Sequence, residues 1–358
     1  MTITSHRARF AALALLTIVA SPAMAQAPPQ AGQAPGVTFT AYPALARNSE
    51  MLRRMLSPLT QEIIRRRLAA SRSAVAEESV DLSKERFVVD LPSHRPAAGY
   101  GLIVFVPPWD DAKVPPGWAA VLDREGFIYV SAAGSGNEQD VLTRRVPLAL
   151  IAAGEVLGRY EIDPARVYVG GFSGGSRIAL RIALAYPDVF RGALLDAGSD
   201  PIGVPPDILP PADLFARFQA STRVVFVTGT LDLTARASDA SSSESMSRFC
   251  MFNVRTIGIP DTGHAVATPA KLTEALDSLQ HDRLVDQGRL DACRAKLAGR
   301  LTAAVGEARA LVAAGRGPAA RSRILDLDRT FGGLAAEQIV DLADTCGCGI
   351  TPGEKGSK

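Results

Sequence analysis

The chain has 358 residues, 47% of them hydrophobic, enough to bury a sizeable core in one large α/β domain with appendages or in two ordinary domains. Lys and Arg total 39 against 37 Asp and Glu, and the one short basic run is Arg65, Arg66 and Arg67. That balance excludes the strong one-signed field that a nucleic-acid or acidic-surface partner would need.

The first 25 residues read as an export signal. Arg7 and Arg9 give a positive start, residues 10–20 form an apolar stretch, and Ala23-Met24-Ala25 is a small-residue cleavage site. The apolar stretch is shorter than the roughly 20 residues a bilayer span requires. Cleavage there removes two arginines and no acid, taking the formal net charge from +2 to zero. The expected location is periplasmic or extracellular, with no stable membrane anchor.

Residues 26–40, rich in Pro, Gln and Gly, read as a flexible lead-in. Between about 49 and 74, Met51, Leu52, Met55, Leu56, Leu59, Ile63 and Leu68 recur at three- and four-residue intervals, which predicts helices. Ser57-Pro58 reads as an N-cap with proline in the first turn, so two helices meet there. Lead-in and helices together span 26–80.

From residue 81 to 282 the pattern is that of an α/β core. Apolar runs at 86–91, 101–106, 127–131, 166–170, 191–198, 223–229 and 253–259 read as strands. Several are continuously apolar and β-branched, as strands covered on both faces of a parallel sheet are. Helical stretches at 117–125, 141–160, 174–186, 241–252 and 269–281 alternate with them, predicting an open, mostly parallel, doubly wound sheet. The turn around His94 reads as a hairpin. Residues 198–215 carry five prolines and read as an ordered irregular loop. Beyond 283 the chain is rich in Ala, Leu and Arg and lacks strand signals, so 283–358 is expected to be a helical appendage.

Ligands in such a sheet sit beyond the carboxyl ends of the strands. Directly after the run at 166–170 comes Gly171-Phe172-Ser173-Gly174-Gly175, followed by a helical stretch. This is the context a G-x-S-x-G nucleophile elbow requires, because the serine sits on a tight strand-to-helix turn that bulky neighbours would block. The same pentapeptide can also be a glycine-rich turn that merely starts a helix. A nucleophilic serine needs a base. Of the four histidines, His6 lies in the signal, His94 before the core and His281 at a helix end. His264 follows the last predicted strand. The acid is expected between Ser173 and His264, just past a strand; Asp232 fits, and Asp239, farther on, is a second candidate. For an oxyanion hole, Gly174 N–H is the first donor. Pro107 and Pro108 have none, leaving the Trp109 N–H as the second.

All four cysteines, Cys250, Cys293, Cys346 and Cys348, lie beyond the signal, and in an oxidising compartment they read as disulfides. Cys250 and Cys293 are expected to join each other or the tail, the pairing being open.

The segments 123–130, 162–198, 227–232 and 261–265 resemble, in order, landmarks of the α/β-hydrolase superfamily, and within it secreted esterases grouped with polyhydroxybutyrate depolymerases and feruloyl esterases. The resemblance covers about residues 86–281. It implies Ser173 as nucleophile, Asp232 as acid and His264 as base. It departs at Pro107-Pro108, where the group has His-Gly, and in the loop 131–140. The expected protein is an exported serine hydrolase cleaving small-molecule or polymeric carboxylic esters through an acyl-enzyme, with no metal or organic cofactor implied. A peptidase or acyltransferase on the same three residues, or a binding protein on a hydrolase fold, is the alternative.

Overall fold

A computed structural model describes residues 32–281 and 286–347. The expected signal over 1–25 and Cys348 lie outside the described residues. Eight strands, β1 (Gly32–Val37), β2 (Phe87–Leu91), β3 (Tyr100–Val106), β4 (Phe127–Ala132), β5 (Ile162–Phe172), β6 (Gly192–Asp196), β7 (Arg223–Gly229) and β8 (Val254–Ile259), form one sheet. Their order is β1-β2-β4-β3-β5-β6-β7-β8. β2 pairs antiparallel with both neighbours and every other pairing is parallel, so β2 alone runs against the rest.

The helices are α1 (Asn48–Met55) and α2 (Pro58–Ser71) ahead of the core, then α3 (Trp118–Glu125), α4 (Val146–Arg159), α5 (Gly174–Ala185), α6 (Ala212–Ser221), α7 (Leu233–Arg248) and α8 (Pro269–Gln280) among the strands. After them come α9 (Gln287–Ala313), α10 (Gly317–Phe331) and α11 (Ala336–Cys346). Side chains alternate across the strands, as the period of two demands. Ile103, Phe105, Tyr129, Tyr168 and Val225 pack with Trp118 and Leu122 of α3 and Leu272 and Leu276 of α8. Val104, Val130, Val169 and Phe226 face the other layer, with Ile151 of α4 and Ile178 and Ile182 of α5. Both faces are therefore dry, which is why these strands read as continuous apolar runs. This covered, mostly parallel sheet with one reversed strand near its edge is the α/β-hydrolase fold.

All seven predicted runs are strands. Four local readings are corrected. Gly32–Val37, within the expected lead-in, is an edge strand: five of its six residues are exposed and backbone pairing to β2 holds it, so its side chains carry almost no hydrophobic signal. Residues 92–99 are no hairpin, since β2 pairs with β4 and not with β3. The proline-rich stretch ends in α6, whose Leu214, Phe215 and Phe218 are buried. Helix α7 begins at Leu233 rather than 241, because Asp232 Oδ1 accepts the Ala235 N–H at 3.0 Å and caps it.

The terminal helices are fastened to the core. Ser57 caps α2 with Pro58 in the first turn, as read from sequence. Arg54, 6% exposed, forms ion pairs with Glu50 and Asp188, and Leu59 N–H donates to Asp328 Oδ1 of α10 at 3.0 Å. Leu290, Ile324, Leu327 and Ile339 join the same apolar cluster as α4 and α5. Cys250, just past α7, is disulfide-bonded to Cys293 of α9.

Candidate active site

β5 runs into Phe172, and α5 starts at Gly174. Between them Ser173 has φ 54° and ψ −120°, a conformation that costs a non-glycine residue about 1–3 kcal/mol. Two backbone bonds hold it there. Ser173 N–H donates to Asp196 O at 2.8 Å, and Ser176 N–H donates to Ser173 O at 3.0 Å. The flanking glycines are required by contact. A Cβ on Gly171 would lie 2.3 Å from Gly175 O, and one on Gly175 would lie 1.9 Å from Val106 O, at the end of β3. The helix start is thus pressed against the strand ends with no room for a side chain.

The turns after β7 and β8 deliver the other two residues. Leu231 N–H donates to Thr262 O and Thr230 N–H to Ile259 O, each at 2.9 Å, so the two loops are joined along their backbones. His264 Nδ1 lies 2.5 Å from Asp232 Oδ2, and its Nε2 lies 2.9 Å from Ser173 Oγ. With the ring proton on Nδ1, the imidazole donates to the carboxylate and accepts from the serine hydroxyl. Both oxygens of Asp232 are engaged, Oδ1 in capping α7 and Oδ2 with the ring. Burial acts to raise the Asp232 pKa, and the Ala235 N–H and the His264 ring outweigh it, holding the carboxyl below its ordinary value. The His264 side chain is 49% exposed, leaving the ring open to small reactants.

The remaining candidates fall elsewhere. Asp239 makes no bond to His264; it accepts from Thr228 Oγ1 beneath the loop, and burial pushes it up to about 6. His94 is exposed in the loop after β2, and His281 pairs with Asp277 at the end of α8. Gly174 follows the serine directly, and Trp109 lies in the turn after β3. Neither backbone N–H has a hydrogen-bond partner among the described residues. The half-buried Trp109 ring lies 6.1 Å from Phe172, which lies 4.9 Å from the His264 ring, giving an aromatic wall beside the serine.

Three residues here have no motif to announce them. Asp196, fully buried at the end of β6, gives its carbonyl to Ser173 N–H and its Oδ2 to Ala267 N–H at 2.7 Å. Ala267 O in turn accepts from Trp118 Nε1 at 2.8 Å. One aspartate therefore ties the serine turn to the histidine loop. Arg145, 3% exposed, donates to Ser135 O and Pro107 O at 2.9 Å each, tying the loop after β4 to the Pro107-Pro108 turn. Burial, with Arg181 nearby, lowers its pKa to about 10. Asn137, in that same loop, lies against Gly174. The position of Asp196 at the end of an apolar run was the only available signal. Arg145 and Asn137 carry none, because their contacts are long-range.

No family model and no curated protein matches the chain. Solved structures do. An acetyl xylan esterase from Aspergillus awamori aligns with 14% identity and a TM-score of 0.41, over 55% of this chain and 94% of that one. A thermophilic esterase from Thermogutta terrifontis gives 17% and 0.41, over 57% and 87%. A Bacteroides ovatus protein named for dipeptidyl aminopeptidase IV gives 15% and 0.42, and this chain spans 33% of its length. The fold itself rests on the strand order, the reversed β2 and the strained turn at Ser173.

Proposed function

We propose that the protein is an exported serine hydrolase that cleaves carboxylic esters through a covalent acyl-enzyme. The observation that carries this reading is the unbroken chain from Ser173 Oγ through His264 to Asp232, at the carboxyl ends of β5, β7 and β8. Ser173 Oγ attacks the carbonyl while His264 Nε2 takes its proton and later passes it to the departing alkoxide. Asp232 keeps the ring tautomer and stabilises the imidazolium. The N–H groups of Gly174 and Trp109 receive the developing oxyanion, with the start of α5 adding its positive dipole end. Water activated by His264 then releases the acid. The signal-like first 25 residues and the Cys250–Cys293 disulfide support export. No helix among the described residues is long and apolar enough to cross a membrane.

The test is turnover of p-nitrophenyl acetate by wild type and Ser173→Ala. The variant is expected to lose kcat by on the order of 10⁶. Equal residual rates in the two proteins would remove Ser173 as nucleophile. Turnover of a peptide amide at a rate matching the ester would move the reading to a peptidase.

A further inference from the structure

We infer that the side-chain amide of Asn137 is a third donor to the oxyanion, completing a hole that the Pro107-Pro108 turn leaves short of N–H groups. The inference rests on the hydrolase reading of Ser173 and adds to it a residue from a different strand end.

Three observations place the amide. The backbone N–H of Asn137 donates to Pro108 O at 3.0 Å, so the residue stands beside the turn that presents the Trp109 N–H. Its side chain rests on Gly174, the residue next to the nucleophile: a Cβ there would fall 2.2 Å from Asn137 Oδ1 and 3.1 Å from Nδ2. The amide thus lies against Gly174, whose N–H is one donor of the proposed hole, on a residue whose backbone is bonded to the turn that carries the other. Oδ1 and Nδ2 exchange places by a half-turn of the terminal torsion, so either can face Gly174.

The loop carrying the amide is built for position. Gly136 N–H donates to Asp110 Oδ1 at 3.0 Å, Gly134 N–H donates to Asp110 O at 2.7 Å, and Arg145 holds Ser135 O from below. A Cβ on Gly136 would lie 2.8 Å from Asp110 Oδ1 and 3.0 Å from the Trp109 carbonyl carbon. This loop and the Trp109 turn are therefore bonded to each other at close contact. Of the nearby polar side chains, Asp140 accepts from Leu142 and Thr143 N–H and Gln139 donates to Asp110. Asn137, exposed, has no side-chain partner among the described residues, so its two N–H bonds are free for a ligand.

In the addition step the Ser173 Oγ–C bond forms as the carbonyl electron pair moves to oxygen, and the hydroxyl proton passes to His264 Nε2. Asn137 donates a hydrogen bond to that new charge and exchanges no proton. The contact strengthens as charge develops, so its loss appears in kcat rather than KM.

Steady-state kinetics of Asn137→Ala and Asn137→Asp on p-nitrophenyl acetate test this, with thermal midpoints to confirm folding. Asn137→Ala is expected to lower kcat by about 10²-fold with KM nearly unchanged, the usual cost of one oxyanion donor. Asn137→Asp should fall at least as far, because a carboxylate repels the oxyanion. Affinity for a trifluoromethyl ketone inhibitor should fall in step with kcat/KM. An Asn137→Ala enzyme that keeps its kcat, or that changes KM alone, overturns the inference while leaving Ser173 in place. If wild type neither hydrolyses the ester nor reacts with a fluorophosphonate, the hydrolase reading fails and takes this one with it.

Discussion

Two layers of carboxylates meet at the carboxyl edge of the sheet, and they behave in opposite ways. In front, Asp232 has a donor on each oxygen and is held ionised. Behind it, Asp196 and Asp239 each leave one oxygen buried without a partner among the described residues, and burial raises both. The residue type is the same and the distance along the chain from Asp232 to Asp239 is two turns of α7. Donors decide the difference. Where N–H groups and a ring converge, a charge is stable; where a buried carboxyl has too few donors to offset its desolvation, the neutral acid is favoured. In the proposed mechanism the front layer serves the chemistry, and the rear one holds the turns that carry it.

Replacing one layer at a time would sharpen that contrast. Asp232→Asn removes the charge that fixes the His264 tautomer and is expected to lower kcat by about 10⁴-fold with the thermal midpoint little changed. A comparable loss in Asp239→Asn would reverse the assignment of the acid.

Asp239→Asn should act on stability instead. The folded-state pKa of Asp239 lies near 6, above the ordinary 3.8, so its contribution to stability is complete below pH 4 and is lost as pH rises through about 6. The asparagine variant carries no such titration. Its stability relative to wild type should climb between pH 4 and 7 and level off about 3 kcal/mol higher. Urea unfolding of both proteins across that range measures it, and a flat difference would mean that folding does not raise the Asp239 pKa.

The smallest effect is expected at Asp196. Asp196→Ala frees the Ala267 N–H and loosens the histidine loop, which should reduce kcat by roughly tenfold to a hundredfold through misplacement of His264. Asp196→Asn, which keeps an acceptor for that N–H, should recover most of the loss; equal losses in both variants would point to charge rather than position.

Much of this molecule can be read from the chain. The central apolar runs are strands whose burial on both faces leaves them no polar positions, and that is a one-dimensional pattern. The order Ser173, Asp232, His264 is likewise visible, since each follows a strand end and the sheet's parallel topology gathers strand ends on one edge. The capping of α7 by Asp232 was not foreseen, because one carboxylate serves both the helix and the ring. Strand β1 is silent for the opposite reason, being held by backbone bonds that any sequence can make.

The order of residues alone marks seven of the eight strands and brings a serine, an aspartate and a histidine to one edge of the sheet. Only the tertiary structure decided that Asp232 rather than Asp239 meets His264, that Asp196 joins the serine turn to the histidine loop, and that Asn137 lies on Gly174. Periodicity is set by neighbours a few residues apart and survives in the string. Contacts between residues such as Asn137 and Gly174, or Asp196 and Ala267, depend on loops packed from separate strands, and no local pattern records them.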